Sequence, residues 1–94
     1  MNGTNETNTE TTSTYICSGF RPIKAESNKE AAEVFANREA HNRYGRKGYS
    51  LGATASSWSQ DGSLVEYEAF IGYTPSGEHN VTVGNNYRFT VQSS

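Results

Sequence analysis

SNKEAAEVFANREAHNRYG, residues 27–45, decides the fold, because it is the one stretch with a complete set of helix signals. Ser27 and Glu30 form a Ser-x-x-Glu capping box, in which the serine oxygen takes an orphan backbone N–H and the glutamate reaches back toward the cap. Ala31, Ala32, Phe35 and Ala36 then repeat at the spacing of one helical face, and Gly45 supplies the residue that helices use to stop. The pattern predicts a helix from Asn28 to about Tyr44. Its apolar stripe is continued by Glu39 and Arg43, so the second half is expected to outrun the core beneath it.

Everything around this helix reads as strand. Upstream, TYICSGFRPI (Thr14–Ile23) is rich in β-formers and is ended by Pro22 and a polar stretch, which predicts a first strand. Downstream, Tyr49–Gln60 and Ser63–Tyr73 flank Asp61-Gly62, the dipeptide favoured in two-residue type I′ hairpins, where both central residues need a positive φ. That turn would set Trp58 opposite Val65 and Ser56 opposite Tyr67. Thr74–His79, with Pro75 and Gly77, reads as a loop; Val81–Val83 and Tyr87–Val91, separated by Gly84-Asn85-Asn86, are either one bulged strand or a second hairpin. The fold class is therefore α+β, in the order β-α-β-β-β: a mostly antiparallel sheet of about four strands with one helix packed on one face.

The first thirteen residues, MNGTNETNTETTS, hold no aliphatic residue beyond Met1 and cannot bury enough to offset the entropy of ordering, which predicts a disordered tail before a single domain over 14–94. The 94-residue chain has a formal net charge of −2; setting aside Glu6 and Glu10 of the tail leaves eight acidic against eight basic residues, a poor basis for generic polyanion binding. No apolar run is long enough to span a bilayer and the amino terminus lacks signal-peptide character, so the expectation is a soluble, cytoplasmic protein with no membrane partner. Asn2, Asn5 and Asn80 begin Asn-x-Thr sequons, which a chain rich in Asn and Thr makes by chance.

Chemistry finds little support. Cys17 is the only cysteine, so no internal disulfide forms, and neither His41 nor His79 is tied to it by any spacing that would make a nucleophile. Two isolated histidines give no metal-ligand pattern. Glu66 and Glu68 alternate with Val65, Tyr67, Ala69 and Ile71 and read as the polar side of a strand; Asp61, the single aspartate, belongs to the turn. Gly45 and Gly48 follow a helix, the wrong end for phosphate. The sequence is thus expected to be non-enzymatic, without metal, cofactor or small-molecule substrate.

Two binding readings remain. The chain carries eleven aromatic residues, more than one alanine-rich helix is expected to cover, which predicts an interaction module that binds another protein or itself, as an inhibitor or adaptor does, through an aromatic sheet face or open edge strand. Trp58, Val65, Tyr67 and Tyr73 are the residues assigned to that face, with the helix covering only its far end near Ala69 and Ile71. The alternative is a nucleic-acid-binding module built on RYGRKGY, residues 43–49, using Arg38, Arg43, Tyr44, Arg46, Lys47 and Tyr49. The same cluster also has a purely structural explanation: Glu39 and Arg43 are spaced for an ion pair, and positive charge is favoured at a helix carboxyl end.

Overall fold

The computed structural model describes residues 12–93. Of the residues read as a tail, the first eleven lie outside the described residues; Ser13 does not belong with them, since it opens a strand and pairs with Ala25. The helix, α1, spans Asn28–Tyr44 as its sequence signals require. Ser27 Oγ accepts from the Glu30 N–H at 3.1 Å, while Glu30 Oε1 accepts from the Glu26 N–H at 2.6 Å, one residue before the cap. Gly45, at φ 74°, donates its N–H to the His41 carbonyl and ends the helix, and a short 3-10 turn follows over Gly45–Lys47.

Among the described residues six strands form one sheet against it: β1 (Ser13–Cys17), β2 (Arg21–Ala25), β3 (Tyr49–Ser50), β4 (Thr54–Trp58), β5 (Leu64–Tyr73) and β6 (Val83–Ser93). All pair antiparallel in the order β2-β1-β6-β5-β3, with β4 joining β5 beside β3. The α+β class and the single helix on one face agree with the sequence reading, and the strand count rises from about four to six for two local reasons. TYICSGFRPI is a hairpin, because Ser18 and Gly19 both take positive φ, 57° and 81°, and turn the chain back at what looks like mid-strand. Tyr49–Gln60 is broken in two by Gly52 at φ 90°. The carboxyl-terminal runs, by contrast, form one strand: β6 pairs with β5 without interruption from Leu64↔Gln92 to Tyr73↔Val83.

The β4–β5 turn also differs from the two-residue form. Only Gly62 has a positive φ, 77°, so Asp61-Gly62 is not a type I′ turn. Instead Ser59 N–H donates to the Leu64 carbonyl at 2.7 Å, and Gly62 N–H to the Ser59 carbonyl at 3.0 Å, closing a wider loop. Trp58 still falls opposite Val65, but a bulge between Ala55 and Ser57 puts Ala55, rather than Ser56, opposite Tyr67. Asp61 Oδ1 organises the loop by accepting from the Ser63 N–H, the Ser63 hydroxyl and the Ser59 hydroxyl at 3.0, 2.8 and 2.9 Å. Those bonds, the Ser63 N–H first, hold its carboxyl down at about 2. A carboxyl lowered on folding stabilises the native state above its usual value near 3.8 and ceases to do so as pH falls through about 2. Asp61→Asn is therefore expected to melt below the parent at pH 6, with the gap narrowing steadily between pH 4 and 2; a gap that does not change with pH would mean the carboxylate charge is not what holds the turn.

The core lies between α1 and one sheet face. Ala31, Ala32, Phe35, Ala36 and Ala40 from the helix meet Cys17, Ile23, Ala25, Val65, Tyr67, Ala69, Ile71, Phe89 and Val91 from the strands. Small helix residues let the backbone approach the sheet, and Phe35 fills the central space, its ring 4.9 Å from Phe89 and 6.2 Å from Tyr87. The helix does not outrun this core. Ala40 is fully buried, and Gly48 sits so close beneath it that a Cβ there would lie 2.2 Å from the Ala40 carbonyl oxygen. No helix among the described residues is long and apolar enough to cross a membrane.

Candidate functional site

The residues assigned from sequence to a partner-binding face separate into three environments. Val65 is 0% exposed and Tyr67 is 3% exposed, both under the helix, and the Tyr67 hydroxyl donates to Asn28 Oδ1 at 2.7 Å. They are core residues: the amino-terminal half of α1 lies over the turn-proximal end of β5, the end expected to be open. Tyr73 is half-buried at the other end of the strand, its ring 5.2 Å from Tyr44 with Lys47 Nζ 4.6 Å from the ring centroid. Trp58 alone is freely displayed, at 63% exposure.

Trp58 ends β4, whose residues Thr54–Trp58 carry no charge and no proline and, among the described residues, pair on one side only, with β5. Beside it a shallow groove of about 300 Å³ is lined by Ser57, Trp58, Ser59, Leu64, Glu66 and Thr90. Leu64 is 39% exposed there, giving a second apolar contact next to the indole. Ser57 Oγ donates to Glu66 Oε1 at 3.3 Å and Ser56 Oγ to the Glu66 carbonyl at 3.2 Å, so the groove wall is a small hydrogen-bonded polar border. The opposite sheet edge is different: β2 carries Arg21, Pro22 and Lys24, the charges and missing donor that discourage another strand from adding. Leu64 was not singled out from sequence, although its place just after the turn, out of phase with Val65 and Tyr67, is the signal that puts it on the outer side.

The basic, tyrosine-rich end of the helix is largely occupied within the molecule. Arg43 lies over the Tyr87 ring at 4.8 Å and its Nε is 3.5 Å from Glu39 Oε1. Lys47 and Tyr44 both pack on Tyr73, and the Tyr49 hydroxyl shares hydrogen bonds with Thr74 and Thr82 at 2.7 and 3.0 Å. These contacts pin the helix end to the sheet and to the loop after β5. Nucleic-acid binding through Arg38, Arg43, Tyr44, Arg46, Lys47 and Tyr49 depends on tyrosine faces free to stack on bases; the Tyr44 ring is packed on Tyr73, whereas the threonines hold the Tyr49 hydroxyl and not its ring face.

Cys17 is fully buried, its thiol directed to the Ala31 carbonyl at 3.9 Å, and burial pushes it up to about 11 against the opposing influence of Arg38. At neutral pH it is a protonated thiol packed as a small apolar side chain. Among the described residues no three His, Cys, Asp or Glu side chains gather where they could hold a metal ion. Comparison with known protein families, curated proteins and solved structures finds no match to this chain.

Proposed function

We propose that this protein is a small non-catalytic interaction module that binds another protein, or a second copy of itself, through the Trp58 end of the β4–β5 hairpin. The observation that carries this reading is the exposure of the chain's single tryptophan on an uncharged edge strand, beside Leu64 and within a border of serines. Indole is the side chain that gains most from being covered, and a large apolar anchor ringed by small polar groups is the anatomy of an interface centre. The other edge of β4, which no described strand covers, adds backbone groups with which a partner strand can align. Val65 and Tyr67 support the site from beneath by fixing the strand that carries Leu64, and take no direct part in contact.

Trp58→Ala separates anchor from core. A buried tryptophan truncated to alanine costs about 3–5 kcal/mol of folding, whereas an interface anchor costs about 2 kcal/mol or more of binding. The variant is expected to melt within a few degrees of the parent and to lose self-association or partner capture. Light scattering and thermal melts on one sample test both parts. A folded variant that associates as well as the parent would retire the reading, and so would an unfolded one.

A further inference from the structure

At the opposite sheet edge from Trp58, a groove of about 210 Å³ opens between β2 and the last two turns of α1, lined by Arg21, Phe35, Arg38, His41 and Asn42. Arg38, His41 and Asn42 share one helix face because they are three and four residues apart, and Arg21 opens the neighbouring strand. Two guanidinium groups from separate elements thus line one recess whose wall holds no carboxylate. The ion pairs among the described residues are Lys29–Glu33 and Arg43–Glu39, so no acid among the described residues pairs with Arg21 or Arg38. Arg21 rests over the Phe20 ring at 5.5 Å, which leaves its N–H edges free to donate. The positive field here reaches inward as well: Arg38 acts on the thiol of Cys17, which pairs with Arg21 across the β1–β2 hairpin.

Arg38 and His41 lie toward the helix carboxyl end, where the dipole favours positive charge, whereas Arg21 on β2 has no such support, and a recess lined by guanidinium groups from both elements favours an anion. The groove is smaller than the roughly 300–1,000 Å³ of pockets that enclose drug-sized ligands, so it suits one compact anionic group. Each guanidinium offers a planar fork of donors, and the Asn42 amide and His41 imidazole add more. Donors from four side chains around one recess suit an anion with several acceptor oxygens, of which a tetrahedral phosphate has more than a carboxylate. We infer that the Arg21–Arg38 groove is a binding site for a single tetrahedral phosphate group, either free inorganic phosphate or the phosphoryl group of a phosphorylated side chain of a partner protein.

The test uses the full chain titrated with inorganic phosphate at constant ionic strength, followed by backbone amide shifts and the thermal midpoint. Phosphate is expected to move the amides around Arg21, Arg38 and His41 and to raise the midpoint. Arg38→Ala and Arg21→Ala each weaken binding by about tenfold or more, the effect of losing a charge-assisted hydrogen bond. Arg38→Lys keeps the charge but not the fork and weakens it too, whereas Arg46→Ala removes an equal charge elsewhere and leaves it unchanged. Both arginines of the groove are exposed, so the variants fold. A phosphoserine peptide that binds more tightly than phosphate assigns the group to a partner chain, and equal affinity assigns it to the free ion. No response to phosphate, loss of binding in Arg46→Ala equal to that in Arg38→Ala, or tighter binding of an oligonucleotide without a terminal phosphate would each overturn the site.

Discussion

Phe35→Ala is expected to bring the protein to the edge of unfolding at 25 °C. Phe35 is 2% exposed and is the one large side chain that α1 sends into the core, where the rest of its buried face is alanine. Its ring meets Phe89, and Phe89 is in turn stacked with Tyr67 at 6.2 Å and Tyr87 at 5.6 Å, so one truncation removes the apolar contact between the centre of the helix and this aromatic cluster. Alanines around the hole cannot collapse to fill it. The cost of Phe→Ala at such a site is about 3–5 kcal/mol, while domains of this size hold about 5–15 kcal/mol in total. Urea unfolding followed by tryptophan fluorescence measures it, with Val34→Ala, on the half-buried helix flank, as the reference. A Phe35→Ala loss under about 1 kcal/mol, or one no greater than that of Val34→Ala, would show that the helix is held by its ends rather than by its centre.

The second large effect is expected at Gly84→Ala. Gly72 and Gly84 are direct partners across β5 and β6, and the strands come so close that a Cβ on Gly84 would lie 2.1 Å from the Ile71 carbonyl oxygen and 2.6 Å from the Gly72 Cα. A Cβ on Gly72 would meet the Val83 carbonyl oxygen at 2.2 Å. These are backbone atoms of the longest ladder in the sheet, and they move only by separating the strands. The usual overpacking cost of about 1–3 kcal/mol is therefore a lower bound. Asn86→Ala, two residues along on an exposed position of β6, is expected to be nearly silent. Equal melting of Gly84→Ala and Asn86→Ala would mean that the strands part without penalty and that the glycine pair is not a constraint.

A second consequence of this pair is that it decides between the two readings that composition left open for β6, one bulged strand or a second hairpin. Gly84-Asn85-Asn86 has the residues of a turn, yet it continues a strand, because Gly72 lies opposite and the two glycines accommodate each other. The opposite case is Ser18-Gly19. There the flanking β-formers suggest a continuous strand, and a hairpin forms because β1 pairs with β2 on one side and with the end of β6 on the other. In both places strand pairing overrides the preference of the local run, with β5 at Gly84 and with both β2 and the distant β6 at β1, as β-propensity is a statement about neighbours more than about backbone.

What lies within one helix or one alternating strand was determined by the sequence alone. The capping box, Gly45 and the alanine stripe specify α1 from Asn28 to about Tyr44, and the alternation of Val65, Tyr67, Ala69 and Ile71 with Glu66 and Glu68 specifies which side of β5 is buried. Periodicity acts within an element and needs no knowledge of what covers it. Where the helix lies along the sheet was decided only by the tertiary structure. Its amino-terminal half covers Val65 and Tyr67 and leaves Trp58 outside, its carboxyl end ties Arg43 and Lys47 to Tyr87 and Tyr73, and its outer face brings Arg38 beside Arg21. Each of these depends on the position of one element relative to another, set by how closely alanine lets backbones approach and how far Phe35 reaches, and sequence spacing does not encode that distance.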